Sequence, residues 1–357
     1  MKKLLKWILP MVIVAAAIPV FPSLKAEVEP VKVEAEEFDE TIVLAADETL
    51  TEPKVFDSGK NILLDLNGHT ITENFAANKM AALFVKNNTK LTVRDSVGNG
   101  KVFSDGQKIG TLINMSDGEL NIEAGEFKCN KKMVVNLFAG KAGDNIKFVL
   151  NGGNLSSEAE RVINGSIING NISVKVDNGT VESTSNSAIV LFGDNPDTVK
   201  LEVNNGNIKG EDVNNMYGIW TKGVETVING GDIAAQKGFV VLSGNATVNG
   251  GEINGGLGGL YAEGSKIKIN GGNFSGMPNA NGIYLKDKSE AEIAGGNLKG
   301  KDSGLSVLDS EAKIGGGLIE GIDKNGVFLE KGTLTVVGGK FIGKDRKSTR
   351  LNSSHPA

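Results

Sequence analysis

The sequence predicts an all-β fold: a right-handed parallel β-helix of about 11 to 12 coils with an N-terminal cap. A Gly-Gly-like pair recurs along most of the chain, and large apolar residues flank it at fixed distances. The 48 Gly among 357 residues come with only 8 Pro, which excludes collagen. Around these pairs apolar and polar residues alternate, as in Lys266–Ile269, which is the period of a strand with one buried face.

The recurring pair sets the length of the repeat. Successive pairs lie 20 to 31 residues apart, with a mean of about 25, which suits two or three short strands joined by turns of variable length. The second residue of each pair serves as the anchor: His69, Gly100, Gly125, Gly153, Gly179, Gly206, Gly231, Gly251, Gly272, Gly296, Gly317 and Gly339.

Two positions relative to the anchor are large and apolar in all twelve repeats. One lies three residues before it and runs from Leu66 and Val97 to Val336; the other lies two residues after it and runs from Ile71 to Phe341. We expect each position to form a stack of like side chains inside the solenoid.

The pair itself predicts a sharp corner between strands. Its first member is Gly or Asn, which tolerate positive φ, in every repeat but one, where it is Ala124. A row of asparagines precedes it and is interrupted by Asp177. Stacked amides can form hydrogen bonds along the axis, so we expect an asparagine ladder; a ligand-binding row is the alternative. The row contains Asn151, Asn204, Asn229, Asn249 and Asn270.

The two ends of the sequence differ from the repeats. Residues 1–26 have the basic start, the short apolar stretch and the small-residue site of a secretory signal peptide; an uncleaved anchor is the alternative. Residues 27–40 form an acidic linker, 41–60 the N-terminal cap and 61–343 the β-helix. Within the tail, 344–357, residues 345–355 resemble a translated sequencing adapter, so we expect this tail to be an artefact of sequence assembly.

Charge and cysteine content restrict the function. The net charge is −5, and no basic stripe is present, so nucleic acid is not an expected partner. Without the signal peptide, the mature chain is expected to have no membrane span. Cys129 is the single cysteine, which excludes an intrachain disulfide, and we expect a buried, inert thiol.

In the later coils a second strand precedes the motif and begins with Gly-x-x. We expect the third residue of this start to point outward in each coil. These residues are Trp220, Val240, Tyr261, Tyr284, Ser306 and Phe328, four of them aromatic in a chain with 5% aromatic residues. We call Trp220, Tyr261, Tyr284 and Phe328 the aromatic ridge and predict that it binds a ligand. The alternative is that these rings stack on one another, or lie under a loop, and stiffen the sheet.

The motifs resemble those of a known group. Leu64–Ile71, read as LDLNGHTI, and Gly118–Ile122 followed by Glu126 and Phe127 are similar to coils of secreted bacterial pectate-lyase-like β-helix proteins. The likeness extends over roughly residues 41–343. It implies a β-helix, and implies little about activity because this superfold carries lyases, hydrolases, adhesins and scaffolds.

Candidate catalytic residues are scarce. His69 is the only histidine outside the tail, and it occupies the corner position of Gly in later repeats, so we interpret it as structural rather than catalytic. Asp194 and Asp197 in one loop and Glu211 and Asp212 in a loop one coil later are the candidate metal ligands; if the loops approached each other, their oxygens would suit Ca²⁺. No other cofactor is expected.

These observations predict a secreted or cell-surface β-solenoid that acts as a structural or adhesive module rather than an enzyme. The expected partner is a glycan or another surface protein. The alternative is a polysaccharide lyase or glycoside hydrolase of the pectate-lyase-like superfold.

Overall fold

The computed structural model describes residues 36–212, 216–277 and 280–344, and within these ranges every regular element is a β-strand. The signal peptide, most of the acidic linker and the adapter-like residues 345–355 lie outside the described residues. The strands, numbered in chain order, stack in parallel as a β-solenoid of about 12 turns, which confirms the predicted architecture. Each turn contributes one strand to each of three faces.

The first face begins the turn and ends at the Gly-Gly corner. Every strand pair on it is parallel. Its strands are β1 (Glu40–Val43), β4 (Asn61–Asp65), β7 (Lys90–Arg94), β10 (Gly118–Ile122), β13 (Asn145–Leu150), β16 (Asn171–Val176), β19 (Val199–Val203), β22 (Glu225–Ile228), β25 (Asn245–Val248), β28 (Lys266–Ile269), β31 (Glu290–Ile293) and the second halves of β33 (Ser303–Ile314) and β35 (Asn325–Val336).

The second face follows the corner and forms a parallel sheet of 13 strands. These are β2 (Glu48–Leu50), β5 (Thr70–Glu73), β8 (Lys101–Ser104), β11 (Glu126–Cys129), β14 (Asn154–Ser157), β17 (Thr180–Ser183), β20 (Asn207–Lys209), β23 (Asp232–Ala235), β26 (Glu252–Gly255), β29 (Asn273–Gly276), β32 (Asn297–Gly300), β34 (Leu318–Gly321) and β36 (Lys340–Ile342).

The third face closes the turn. It contains the first halves of the 12-residue strands β33 and β35, which run without a break from the third face into the first. The other strands are β3 (Lys54–Phe56), β6 (Lys79–Val85), β9 (Ile109–Met115), β12 (Met133–Ala139), β15 (Ile163–Ile167), β18 (Ile189–Phe192), β21 (Tyr217–Lys222), β24 (Lys237–Leu242), β27 (Leu260–Glu263) and β30 (Ile283–Lys286).

The segment predicted as a cap, 41–60, is built like the turns that follow it. Its strands β1, β2 and β3 pair in parallel with β4, β5 and β6. It also covers apolar surface, because Leu44, Leu50 and Phe56 are buried against the core. The cap is therefore the first turn of the solenoid itself.

The core consists of the predicted side-chain stacks. The stack after the corner has the expected members, which are at most 1% exposed from Ile71 to Ile319; the last member, Phe341, is 40% exposed. The stack before the corner differs in its first two turns. Leu64 and Val93, rather than Leu66 and Val97, align with Ile122, and Val97 is 69% exposed.

Longer corners explain this error, because Leu64 stands five residues before its anchor His69 and Val93 seven before Gly100, against three for Ile122 and Gly125. Between β7 and Gly100 the chain makes an extra loop around Asp95, whose carboxylate accepts hydrogen bonds from the backbone N–H groups of Gly68 at 2.8 Å and Gly100 at 2.7 Å. Counting back from the glycine pair assumes a constant corner length, and it therefore gives the wrong residue where the corner carries an insertion.

The asparagine ladder is present along the corner. Nδ2 of Asn229, Asn249 and Asn270 each donates to Oδ1 of the asparagine one turn earlier, at 2.6 to 2.7 Å. Asn204 donates in the same way to Asp177, at 2.6 Å, so the aspartate terminates this run as an acceptor. Burial acts to raise the pKa of Asp177, but hydrogen bonds from Asn204 and Lys175 outweigh it and hold the pKa below its usual value.

Candidate functional site

The six residues of the predicted outward column lie in one register. Trp220, Val240, Tyr261, Tyr284, Ser306 and Phe328 are direct neighbours on β21, β24, β27, β30, β33 and β35. The residues beside them in each strand point inward; Leu260 and Ala262, on either side of Tyr261, are fully buried. The sequence therefore places the aromatic ridge on the outside of the third face through simple strand alternation.

The aromatic ridge is not continuous. Val240 and Ser306 are only 3% and 4% exposed and separate its members. Tyr261 and Tyr284 stack with their ring centroids 5.5 Å apart and an interplanar angle of 19°. Trp220 instead packs against Phe192, with centroids 4.7 Å apart. Phe328, which stands alone beyond Ser306, is 41% exposed.

Both readings of these rings find support in their geometry. The tyrosine pair does stack on itself, as the stiffening role requires. Trp220, Tyr261 and Tyr284 are nevertheless only partly buried, so each keeps ring surface open to a ligand. The arrangement is a set of three separate aromatic surfaces along one face rather than a single platform.

The structure adds a lysine that sequence reasoning missed. The ammonium of Lys237 lies 5.7 Å from the ring centroid of Tyr217 and 5.2 Å from that of Tyr261. Burial lowers the pKa of Lys237. Lys237 stands three residues before Val240, outside the repeat positions that were aligned, so no periodic signal marks it; its place depends on how its side chain folds along the face.

Charged groups flank the tyrosine pair. The Tyr261 hydroxyl donates to Oε2 of Glu263 at 2.8 Å, and Lys286 Nζ lies 3.7 Å from the same oxygen. Burial and this hydrogen bond raise the pKa of Tyr261 to about 12. The site thus offers ring faces together with a carboxylate and two ammonium groups.

The candidate metal ligands are not brought together. Asp194 and Asp197 lie in the loop from β18 to β19, where the third face meets the first, whereas Glu211 and Asp212 follow β20, where the second face meets the third. The two loops are at opposite ends of the third-face strands. Across the described residues, no group of three or more His, Cys, Asp or Glu side chains is placed to hold a metal ion.

His69 and Cys129 occupy structural positions. His69 lies in the corner between β4 and β5, with Nδ1 3.5 Å from Oδ1 of Asp47. Cys129 ends β11 between Ser104 and Ser157 of the neighbouring turns and is fully buried, and this burial raises the pKa of its thiol.

We therefore expect Cys129 to be unreactive in the folded protein. The thiolate is the reactive form, and both burial and the raised pKa keep its population low. Ellman's reagent at pH 8 should label the denatured chain within minutes and the native chain only on the time scale of unfolding. Rapid stoichiometric labelling of native protein would show that the second face opens at β11.

The described residues form no helix that is long and apolar enough to cross a bilayer. Comparison with known proteins supplies no function, because no protein-family model, curated protein or solved structure matches this chain. The solenoid architecture is thus established by the structure, and the likeness of Leu64–Ile71 to pectate-lyase-like proteins stays a prediction from sequence.

Proposed function

We propose that this chain is a secreted or surface-displayed structural module that adheres to glycans through the aromatic ridge. The observation that carries the proposal is the register of Trp220, Tyr261, Tyr284 and Phe328 on one outer face with partly open rings. Aromatic rings bind the apolar faces of sugars, and the backbone ladders beneath them hold their spacing, which reduces the entropic cost of binding.

The neighbouring charges suit the same role. Glu263, Lys237 and Lys286 surround the tyrosine pair and would hydrogen-bond sugar hydroxyl groups, while the rings supply apolar contact. Adhesion needs repeated weak contacts rather than a deep pocket. A solenoid that carries several separate aromatic surfaces along one face favours such multivalent binding.

Binding to a glycan array tests the proposal. The parent protein should bind at least one glycan, and the triple variant Trp220→Ala, Tyr261→Ala, Tyr284→Ala should lose that binding by tenfold or more, since aromatic contacts typically supply about 0.5–1.5 kcal/mol each and 1.4 kcal/mol is about tenfold. Circular dichroism should confirm that the variant is folded.

Phe138→Ala is the matched control. Phe138 is 39% exposed on the same face but lies outside the aromatic ridge, so its removal should leave binding unchanged. If the folded triple variant binds as well as the parent, the ridge is not the site. Release of reducing ends or unsaturated sugars from the bound glycan would instead support a lyase or hydrolase.

A further inference from the structure

A pocket distant in sequence from the aromatic ridge lies between the second and third turns, where the second face meets the third. Its volume is about 320 Å³, within the range of small-ligand pockets. Two carboxylates, Glu73 and Asp105, and two rings, Phe75 and Phe103, line it together with Lys108. Glu73 ends β5, Phe103 belongs to β8, and Asp105 follows β8, so parallel pairing of adjacent turns builds the pocket.

The carboxylate of Glu73 is held in place by a buried partner. Ser104, which is 1% exposed, donates its hydroxyl hydrogen to Oε1 of Glu73 at 2.6 Å. The hydroxyl oxygen in turn accepts the backbone N–H of Gly106 at 2.8 Å, which fixes its orientation. Glu73 is therefore pre-organised at the wall of the pocket.

Neither carboxylate is neutralised within the described part of the chain. Glu73 and Asp105 make no ion pair there with a lysine, arginine or histidine, although acidic residues elsewhere on this face do, for example Glu126 with Lys101 at 2.8 Å. Burial and the neighbouring Asp105 raise the pKa of Glu73, although the hydrogen bond from Ser104 opposes this shift. Two carboxylates thus share the pocket with one ammonium group, that of Lys108, which forms no ion pair with either of them among the described residues.

The Phe103 ring indicates which kind of cation suits these carboxylates. Phe103 is half-buried and borders the pocket, whereas Phe75 is 4% exposed and belongs to the core beneath it. Aromatic faces attract organic cations, whereas a hard metal ion prefers several oxygen ligands. An ammonium group with an attached carbon skeleton uses both the carboxylates and the Phe103 ring.

We propose that this pocket binds a protonated primary amine, with Glu73 and Asp105 as its counterions and Phe103 against its carbon skeleton. The amine can belong to an amino sugar or to a lysine side chain, which present the same group. Lys108 opposes binding through its like charge. This site is independent of the aromatic ridge and of the proposed function.

Calorimetric or NMR titration of the full chain at pH 7 tests the assignment. Glucosamine and N-acetyl-lysine methylamide represent the sugar and peptide sources, and N-acetylglucosamine is the neutral counterpart of glucosamine. We expect at least one of the two amines to bind, whichever is tighter identifying the source, and no binding of N-acetylglucosamine. Glu73→Gln should weaken binding about tenfold or more, because it removes a charge-assisted hydrogen bond.

Three further variants test the proposal even if Glu73→Gln is unstable. Asp105→Asn should also weaken binding, Lys108→Ala should strengthen it, and Glu126→Gln, which alters a paired carboxylate on the same face, should leave it unchanged. The proposal is overturned if neither amine binds, if N-acetylglucosamine binds as well as glucosamine, or if folded Glu73→Gln and Asp105→Asn bind like the parent. Binding of Ca²⁺ without either amine would assign a metal site instead.

Discussion

Replacing Ile269 with Asp is expected to be among the most damaging single changes in this protein. Ile269 is fully buried in the stack before the corner, between Val248 and Ile293 of the neighbouring turns. An aspartate there would place an unpaired charge, or a neutralised acid without partners, among apolar side chains. We expect a loss of about 4 kcal/mol or more in the free energy of unfolding, measured by urea denaturation.

Lys268→Asp is the control for this change. Lys268 is the adjacent residue in β28 and faces outward, exposed to solvent. The same acid at this position should cost about 1 kcal/mol or less. Similar denaturation midpoints for the two variants would mean that the inward and outward positions of β28 are assigned incorrectly.

Gly300→Ala is expected to be the second large loss, for steric rather than electrostatic reasons. A Cβ atom at Gly300 would lie 1.9 Å from the carbonyl oxygen of Ser303 and 2.7 Å from that of Ala280. Both are backbone atoms, so no side-chain rotation relieves the clash and the turn itself must shift. We expect about 3 kcal/mol or more of destabilisation by thermal or urea unfolding.

Gly315→Ala separates this clash from the general effect of replacing glycine. The nearest atom to a Cβ at Gly315 is 3.7 Å away, and its φ is not in the left-handed region. Alanine there should be neutral or stabilising by about 0.4–1 kcal/mol, because it restricts the unfolded chain. Equal destabilisation of both variants would exclude backbone crowding at Gly300 as the cause.

Much of the fold could be predicted because every repeat places a large apolar residue at the same distance from the corner. Ile71, Phe127 and Ile319 occupy one position relative to the corner and form one buried stack. The register that places Trp220, Tyr261 and Tyr284 in one outer column follows from the same repeat, since strand alternation fixes which side chains point outward.

Departures from the repeat could not be predicted in this way. The loop around Asp95 lengthens one corner and moves Val97 to the surface, while Val93 takes its place in the core. Asp194 and Glu211 stand close in sequence, but successive corners direct their loops to opposite ends of the third face. The distance between two loops in sequence does not predict whether they meet in space, because the chain changes direction at three corners in each turn of the solenoid.

The sequence by itself determined the solenoid, its outward aromatic column and its inward stacks, except for the stack before the corner in the first two turns, because these depend on residue type at fixed spacing. Only the tertiary structure decided what those side chains contact: that Lys237 lies by Tyr261, that Trp220 packs against Phe192, and that Glu73 shares a pocket with Asp105. These contacts join residues of different turns through side-chain conformation and loop path. A periodic pattern does not encode side-chain conformation or loop path, since both depend on the packing of the neighbouring turn.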